Sequence, residues 1–290
     1  MTPKRRLRPT HRTGPGVVLR VAVALVAVAL AGSAAFGQTP EYEPRFGQAG
    51  KDVIWVPTTE RLLQRMLTMA QVGPGDVVFD LGSGDGRTVI AAAKRGAEAV
   101  GVEYNPALVA FSRRAAEREQ LSSEHARFIQ GDLFETDFSS ATVVTLFLRT
   151  DLNLRLRPAL LDMPPGTRVV SNMFKMGDWE PDETSYLNTR TAYLWIVPAP
   201  VGGVWELVLS GSRTLEVDLG QSYQKISGLV HIGPIEAGLR EAWLQGKEIR
   251  FAFVDDEAVL YELAGTVNGD RMEGTFRAGE QTGLWTATRR

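Results

Sequence analysis

The chain has 290 residues, 44% hydrophobic and 23% charged, proportions that suit a soluble globular protein large enough for two domains. It has no cysteine, which excludes disulfides, thiolate metal sites and a thiol nucleophile, and its three histidines, His11, His125 and His231, are too scattered in sequence to suggest a metal site. The formal charge is −2, but residues 1–37 hold six Lys/Arg and no Asp/Glu, so the remainder sets 26 basic against 34 acidic residues, a charge of −8 that disfavours nucleic acid as a partner.

Residues 1–37 open with the basic "MTPKRRLRPTHR", run apolar from Val17 to Ala31 apart from Arg20, and close on "GSAAFGQ". A positive head, an apolar segment and small residues at Ala35 and Gly37 read as a signal peptide cut before Gln38, which predicts an exported protein, periplasmic or secreted. The alternative is an uncleaved anchor that gives the chain a membrane contact through residues 1–37, with the rest tethered on the cytoplasmic side. Arg5 and Arg6 hint at twin-arginine export, although the residues after them fit that pattern poorly. Residues 38–50, with "QTPEYEP", read as a linker.

From 51 to 198 helical and strand-like segments alternate, the pattern of a parallel sheet with helices on its faces. "TTERLLQRMLTMA" places Leu62, Leu63, Met66, Leu67 and Ala70 at helical spacing, with Thr58 or Thr59 as N-cap. "VGPGD" turns the chain into a strand at Val77 to Asp80, and the glycines after it open a helix from Arg87 to Arg95, stopped by Gly96. The strand "AVGVE" leads to a helix begun by Asn105 and Pro106, and the strands "RFIQ" and "TVVTLFL" come next. A helix through "LNLRLRPALLDM", bent near Pro158, ends at "PPG" before the strand "TRVVSNM". From 199 to 290 short alternating runs such as "TLEVDL" and "EIRFAFV" predict an all-β meander, closed as a barrel or flattened as a sandwich. "VNGD" at 267–270 marks a hairpin, "EAGLREAWL" is the one candidate helical turn in this half, and Trp205 and Trp285 are expected to pair as a core clasp.

The stretch "VVFDLGSGDGRTVI" carries the chemistry. A strand that feeds glycines at 82, 84 and 86 and then a helix brings bare backbone N–H groups to a ligand. The spacing is neither the dinucleotide fingerprint nor a P-loop, and Asp80, two residues before Gly82, would repel a diphosphate and welcome an ammonium or sulfonium. Glu103 ends the second strand, where a carboxylate can accept ribose hydroxyls, and Asp132 comes after the third in "FIQGDLF". Three acidic residues at three successive strand ends describe a pocket for a nucleoside without phosphate, although Glu103 and Asp132 taken singly read as loop carboxylates or caps.

"VVFDLGSGDG", "VGVEYNP" and "FIQGDLF" resemble the three cofactor motifs of class I S-adenosylmethionine-dependent methyltransferases, in order and spacing. "WVPTTERLLQRML", "VVTLFL" and "RVVSNMFKMGDW" look like the lysine methyltransferases that act on the ATP synthase c subunit and the adenine nucleotide translocase, with their bacterial relatives, over about Asp52 to Pro198. The resemblance implies an α/β, Rossmann-like class I methyltransferase fold with S-adenosyl-L-methionine as cofactor. It implies that Gly82, Gly84 and Gly86 line the methionine part with Asp80 near its amino group, and that Glu103 holds the ribose. Tyr104 would pack on the adenine, or else be a core aromatic; Asp132 would accept from the adenine amine, and the Leu133 backbone would donate to the ring. Thr58 either touches the cofactor or only caps its helix. Transfer is then an in-line displacement that needs positioning more than acid or base help, and no catalytic base is identifiable. Asn172, Phe174, Asp178 and Trp179 are candidates for an acceptor channel or for plain loop packing. Arg149 departs from the apolar residues expected in relatives and would discourage a lysine ammonium. Three readings stand: a protein-lysine methyltransferase, a small-molecule methyltransferase with the β domain as lid or acceptor pocket, and an exported binding protein on a methyltransferase fold.

Overall fold

A computed structural model describes Met1, Thr2 and residues 42–290 apart from Gly211 and Ser212. The chain divides into Met1–Tyr42 and a compact unit, Glu43–Arg290, which contains both sheets. The signal or anchor expected at 1–37 lies outside the described residues; among those described, no helix is long and apolar enough to cross a membrane.

The first half alternates as its sequence predicts: α1 (Glu60–Met69), β1 (Val77–Leu81), α2 (Arg87–Ala93), β2 (Glu98–Glu103), α3 (Pro106–Arg118), β3 (Ala126–Gln130), β4 (Val143–Leu146), α4 (Thr150–Leu161) and β5 (Arg168–Asn172). The hairpin of β6 (Glu183–Leu187) and β7 (Arg190–Ile196) completes a seven-stranded sheet of order β3-β2-β1-β4-β5-β7-β6, in which β7 runs against its neighbours. Central strands covered on both faces must be apolar on both, which is why β1 and β4 are hydrophobic apart from Asp80 and Thr145. Leu62, Met66 and Leu67 of α1, Val89 of α2 and Val109 of α3 fill one face, and Leu152, Leu156 and Leu160 of α4 the other. Helix α3 starts as its sequence signals, with the Asn105 side chain accepting from Ala107 N–H and Pro106 in the first turn.

The second half is a nine-stranded antiparallel sheet ordered β11-β10-β9-β8-β16-β15-β14-β13-β12. The strands are β8 (Gly203–Leu209), β9 (Arg213–Ser222), β10 (Lys225–Ile232), β11 (Ile235–Gly238), β12 (Arg240–Gln245), β13 (Glu248–Val254), β14 (Leu260–Asn268), β15 (Arg271–Ala278) and β16 (Gln281–Arg289). Its ends curl together, β12 beside β10 and β11 beside β13, so the sheet is a nearly closed barrel. Alternate residues point inward, and the interior is filled by side chains such as Trp205, Leu207, Phe251, Phe276 and Trp285. The "VNGD" hairpin joins β14 to β15 through Gly269 and Asp270. Two expectations are corrected. "EAGLREAWL" is strand, forming most of β11 and β12, because barrel pairing overrides the local helical preference. Trp205 and Trp285 share one core without forming a clasp: Trp285 lies opposite Leu209 and meets Phe251 edge-on at 5.9 Å, while Trp205 lies opposite Arg289, whose guanidinium sits 4.3 Å from its ring centre.

The loop from β5 to β6 joins the two sheets. Trp179 is fully buried, stacks on Tyr223 at 6.0 Å and donates from its indole to Gln224 Oε1 at 3.0 Å, while Ala199 N–H donates to Gly246 O at 2.8 Å.

Candidate active site

The carboxyl ends of β1 to β5 open on one cavity of about 820 Å³, within the roughly 300–1,000 Å³ common to small-molecule and cofactor sites. The sequence explains its position. Parallel strands all end on one edge, and the glycine turn after β1 leaves that edge without side chains.

Of the eight residues singled out in the sequence, Asp80, Gly82, Gly84, Glu103, Tyr104, Asp132 and Leu133 line this cavity. Gly86 is not in its wall. It begins α2 at φ +78°, and a Cβ there would come within 2.7 Å of Ser112 and Phe128, so its bareness serves the packing of α2 on α3 and β3. Gly84 faces the cavity at φ +56°, and a Cβ there would lie 2.5 Å from the Trp55 indole nitrogen. Gly84→Ala is therefore expected to displace Trp55 and weaken cofactor binding by about tenfold or more, since left-handed backbone strain of roughly 1–2 kcal/mol adds to the clash; calorimetric titration measures the change.

Asp80 and Thr145 are cross-strand partners on β1 and β4, and Thr145 Oγ1 donates to Asp80 Oδ1 at 2.6 Å. Burial pushes the Asp80 carboxyl up to about 7, with Asp85 and Glu103 adding to the rise and the Thr145 and Thr88 hydroxyls opposing it. Among the described residues no Lys or Arg pairs with it. A buried carboxyl that faces a cavity, has only neutral hydrogen-bond partners and stands near two further carboxylates is a receptor for a cation. Glu103 accepts from Gly84 N–H and Asn105 N–H, each at 2.9 Å, which fixes its carboxylate at the cavity wall with lone pairs to spare; burial raises its pKa against these bonds.

Tyr104 is 54% exposed, so the core-aromatic alternative does not hold. The Lys51 ammonium sits 4.8 Å from its ring centre and pairs with Asp132 Oδ2, while Asp132 Oδ1 accepts from Phe134 N–H at 3.0 Å. Lys51, followed by the Phe134 N–H, holds the Asp132 carboxyl below its usual range.

A strap carries Lys51, which no sequence signal marks, and Trp55, which opens the family-like "WVPTTERLLQRML" without a sign that it would face the site. Residues 43–50, expected as linker, include a turn in which Gly47 N–H donates to Trp55 O and Trp55 N–H to Gln48 O, and Phe46, Trp55 and Thr58 line the cavity. Thr58 does not cap α1. Thr59 occupies that position, and Thr58 Oγ1 accepts from the buried Asn172 amide at 3.1 Å. The far wall, at the ends of β4 and β5, holds Phe147 and Phe174, stacked with centres 6.3 Å apart, together with Leu148, Arg149, Met173 and Arg190. Arg149 is exposed and paired with Asp151 at 3.1 Å. Asp178 and Trp179 are not in the wall: Asp178 pairs with Arg157 and accepts from Tyr223 at 3.1 Å, at the joint with the barrel, and Asn172 acts through Thr58. Among the described residues no barrel side chain lines the cavity, so the barrel supplies no acceptor pocket there. Among them, too, no group of His, Asp and Glu is arranged to hold a metal.

The profile of the family described as ANTKMT methyltransferase domain matches residues 80–183. A protein-lysine N-methyltransferase of Saccharolobus islandicus is 41% identical over 152 residues, covering 50% of this chain and 94% of that protein. The lysine N-methyltransferase of the ATP synthase c subunit from Rattus norvegicus is 39% identical over 146 residues, covering 50% of this chain and 67% of that one. A Salinibacter ruber structure described as an RNA methyltransferase in complex with S-adenosyl-L-homocysteine is 47% identical and covers 50% of this chain and 96% of that chain, with a TM-score of 0.49. The cavity at the carboxyl edge of the sheet and a match at 41% identity that spans 94% of the Saccharolobus islandicus enzyme lead to one conclusion: the chain belongs to the S-adenosylmethionine-dependent protein-lysine N-methyltransferase family.

Proposed function

We propose that the cavity holds S-adenosylmethionine along the ends of β1, β2 and β3, and that the acceptor is the ε-amine of a protein lysine entering between Phe147 and Phe174. The observation that carries the reading is Asp80, a buried carboxyl aimed at the cavity without a cationic partner among the described residues. The cofactor's amino group would pair with it, the ribose hydroxyls would meet Glu103, and the adenine would lie by Tyr104, Asp132 and Leu133 once Lys51 moves aside. When bound, the cofactor supplies a methyl group on a positively charged sulfur.

The chain's own part is to position and to dry the site. Gly82 and Gly84 leave room for close approach, and Trp55 and Phe46 cover the cavity from the strap. An amine between the two phenylalanine rings loses water, which lowers its pKa and favours the neutral, nucleophilic form. The Arg149 guanidinium, already balanced by Asp151, adds a cation near the entrance that acts in the same direction. No side chain is assigned as base, and the arrangement works by positioning.

The test is incubation of the full chain with methyl-labelled cofactor and a fractionated cell extract. Label is expected in polypeptide, on lysine by peptide mapping, and is expected to vanish in Glu103→Ala, whose cofactor affinity should fall roughly 10- to 100-fold. Label confined to small molecules or to RNA would contradict the lysine acceptor. The composition of residues 1–37 supports, in the same reading, a chain held at or sent across a membrane, which terminal mass mapping of the native protein would test by a start at Gln38 or at Met1.

A further inference from the structure

A cofactor with an amino-acid end brings a carboxylate as well as an ammonium, and the acidic wall around Asp80 leaves the carboxylate in need of a cation. Among the described residues four cations line the cavity. Lys51 is bound to Asp132 beside Tyr104, Arg149 is paired with Asp151, and Arg190 donates to Met173 Sδ at 2.7 Å on the far wall. Of the four, Arg87 alone lies at the Asp80 end. Its neighbour Thr88 hydrogen-bonds Asp80, and its partner Asp85 acts electrostatically on Asp80.

The Arg87 guanidinium is held from two sides. Nε and Nη2 engage the Asp85 carboxylate, with Nε 3.0 Å from both oxygens, and Nη1 donates to Thr58 O at 2.9 Å. A guanidinium has five N–H donors. These bonds use one on Nε and one on each terminal nitrogen, so one N–H on each of Nη1 and Nη2 remains to donate to a carboxylate. Fixing the fork on Asp85 and Thr58 means that little side-chain freedom is lost when that pair is used.

We infer that Arg87 is the receptor for the α-carboxylate of the cofactor's methionine end and makes the site selective for a zwitterionic amino-acid end. The inference rests on the cofactor placement proposed above. Asp80 takes the ammonium and Arg87 the carboxylate, so the acidic wall admits the whole amino acid. Asp85 thereby gains a second role, holding the fork in place while partly balancing its charge.

The test compares S-adenosylmethionine with its decarboxylated analogue by calorimetric titration of the full chain. The unmutated chain is expected to prefer the carboxylated form by about tenfold, the value of a charge-assisted pair. Arg87→Ala should bring that ratio to near one while changing affinity for the analogue by less than about threefold. Arg87→Lys, which keeps the charge and loses the fork, should fall between, and Asp85→Asn, which loosens the fork but keeps the guanidinium, should retain part of the preference, with urea unfolding of each variant separating misfolding from lost recognition. A preference that survives in Arg87→Ala, or equal losses for both ligands, would overturn the inference while leaving the cofactor placement intact. Failure of the unmutated chain to bind either ligand would overturn both.

Discussion

Asp80→Asn is expected to weaken cofactor binding strongly while making the ligand-free fold more stable. The carboxyl titrates at about 7 in the fold, chiefly because it is buried, against 3.8 for its ordinary value. Since the folded value is the higher one, the folded state binds the proton more tightly. The carboxyl then costs nothing below about pH 4, costs progressively more as pH rises towards 7, and stands at its full cost above 7. A difference of roughly three pH units sets that cost at no more than about 4 kcal/mol. Asparagine keeps an oxygen for the Thr145 hydroxyl and carries no charge, so a gain of about 2–4 kcal/mol is expected at pH 8, fading to nothing near pH 4, by urea unfolding at each pH. The same change removes the counter-charge for the ammonium, and the cofactor Kd should rise by roughly 100-fold or more. Equal stability of the two proteins at pH 8 would show that the site carries no stored electrostatic cost.

Trp179→Ala is expected to have the largest effect on stability. The side chain is fully buried, stacked on Tyr223, packed against Trp195 with ring centres 6.0 Å apart, and bonded to Gln224. Truncation leaves a cavity where the two sheets meet and an orphaned amide oxygen on Gln224, at a cost of about 3–5 kcal/mol. Trp179→Phe, which keeps a ring and loses the indole N–H, should cost roughly half as much. In both variants cofactor affinity of the folded protein should match the unmutated chain, because Trp179 is not in the cavity wall. Loss of affinity without loss of stability would return Trp179 to the acceptor channel.

That contrast shows what a sequence discloses. Gly82, Gly84, Asp80, Glu103 and Asp132 were legible because strand ends in a parallel sheet converge on one edge, so a short motif after each strand suffices to bring them together. Gly86 belongs to the same glycine run, yet its contacts come from Ser112 and Phe128, residues that only folding brings near. Lys51 and Trp55 sit on irregular chain with no period to read, and they reach the site through a turn closed by backbone hydrogen bonds. Asp178 and Trp179 share a loop with Phe174, and sequence proximity alone could not say that Phe174 turns to the cavity while the other two turn to the barrel. Helical propensity in "EAGLREAWL" lost to strand pairing, since closing the barrel required β11 and β12 at its seam.

The decisive measurement is calorimetric titration of the full chain with S-adenosylmethionine at pH 6 and pH 7.5, each in two buffers of different ionisation heat. A bound ammonium must draw the proton off Asp80. Binding is therefore expected at both pH values, with release of close to one proton at pH 6 and, from the carboxyl alone, affinity roughly eightfold weaker at pH 6 than at pH 7.5. No binding, or binding whose proton count is the same in Asp80→Asn as in the unmutated chain, would contradict a cofactor seated on Asp80.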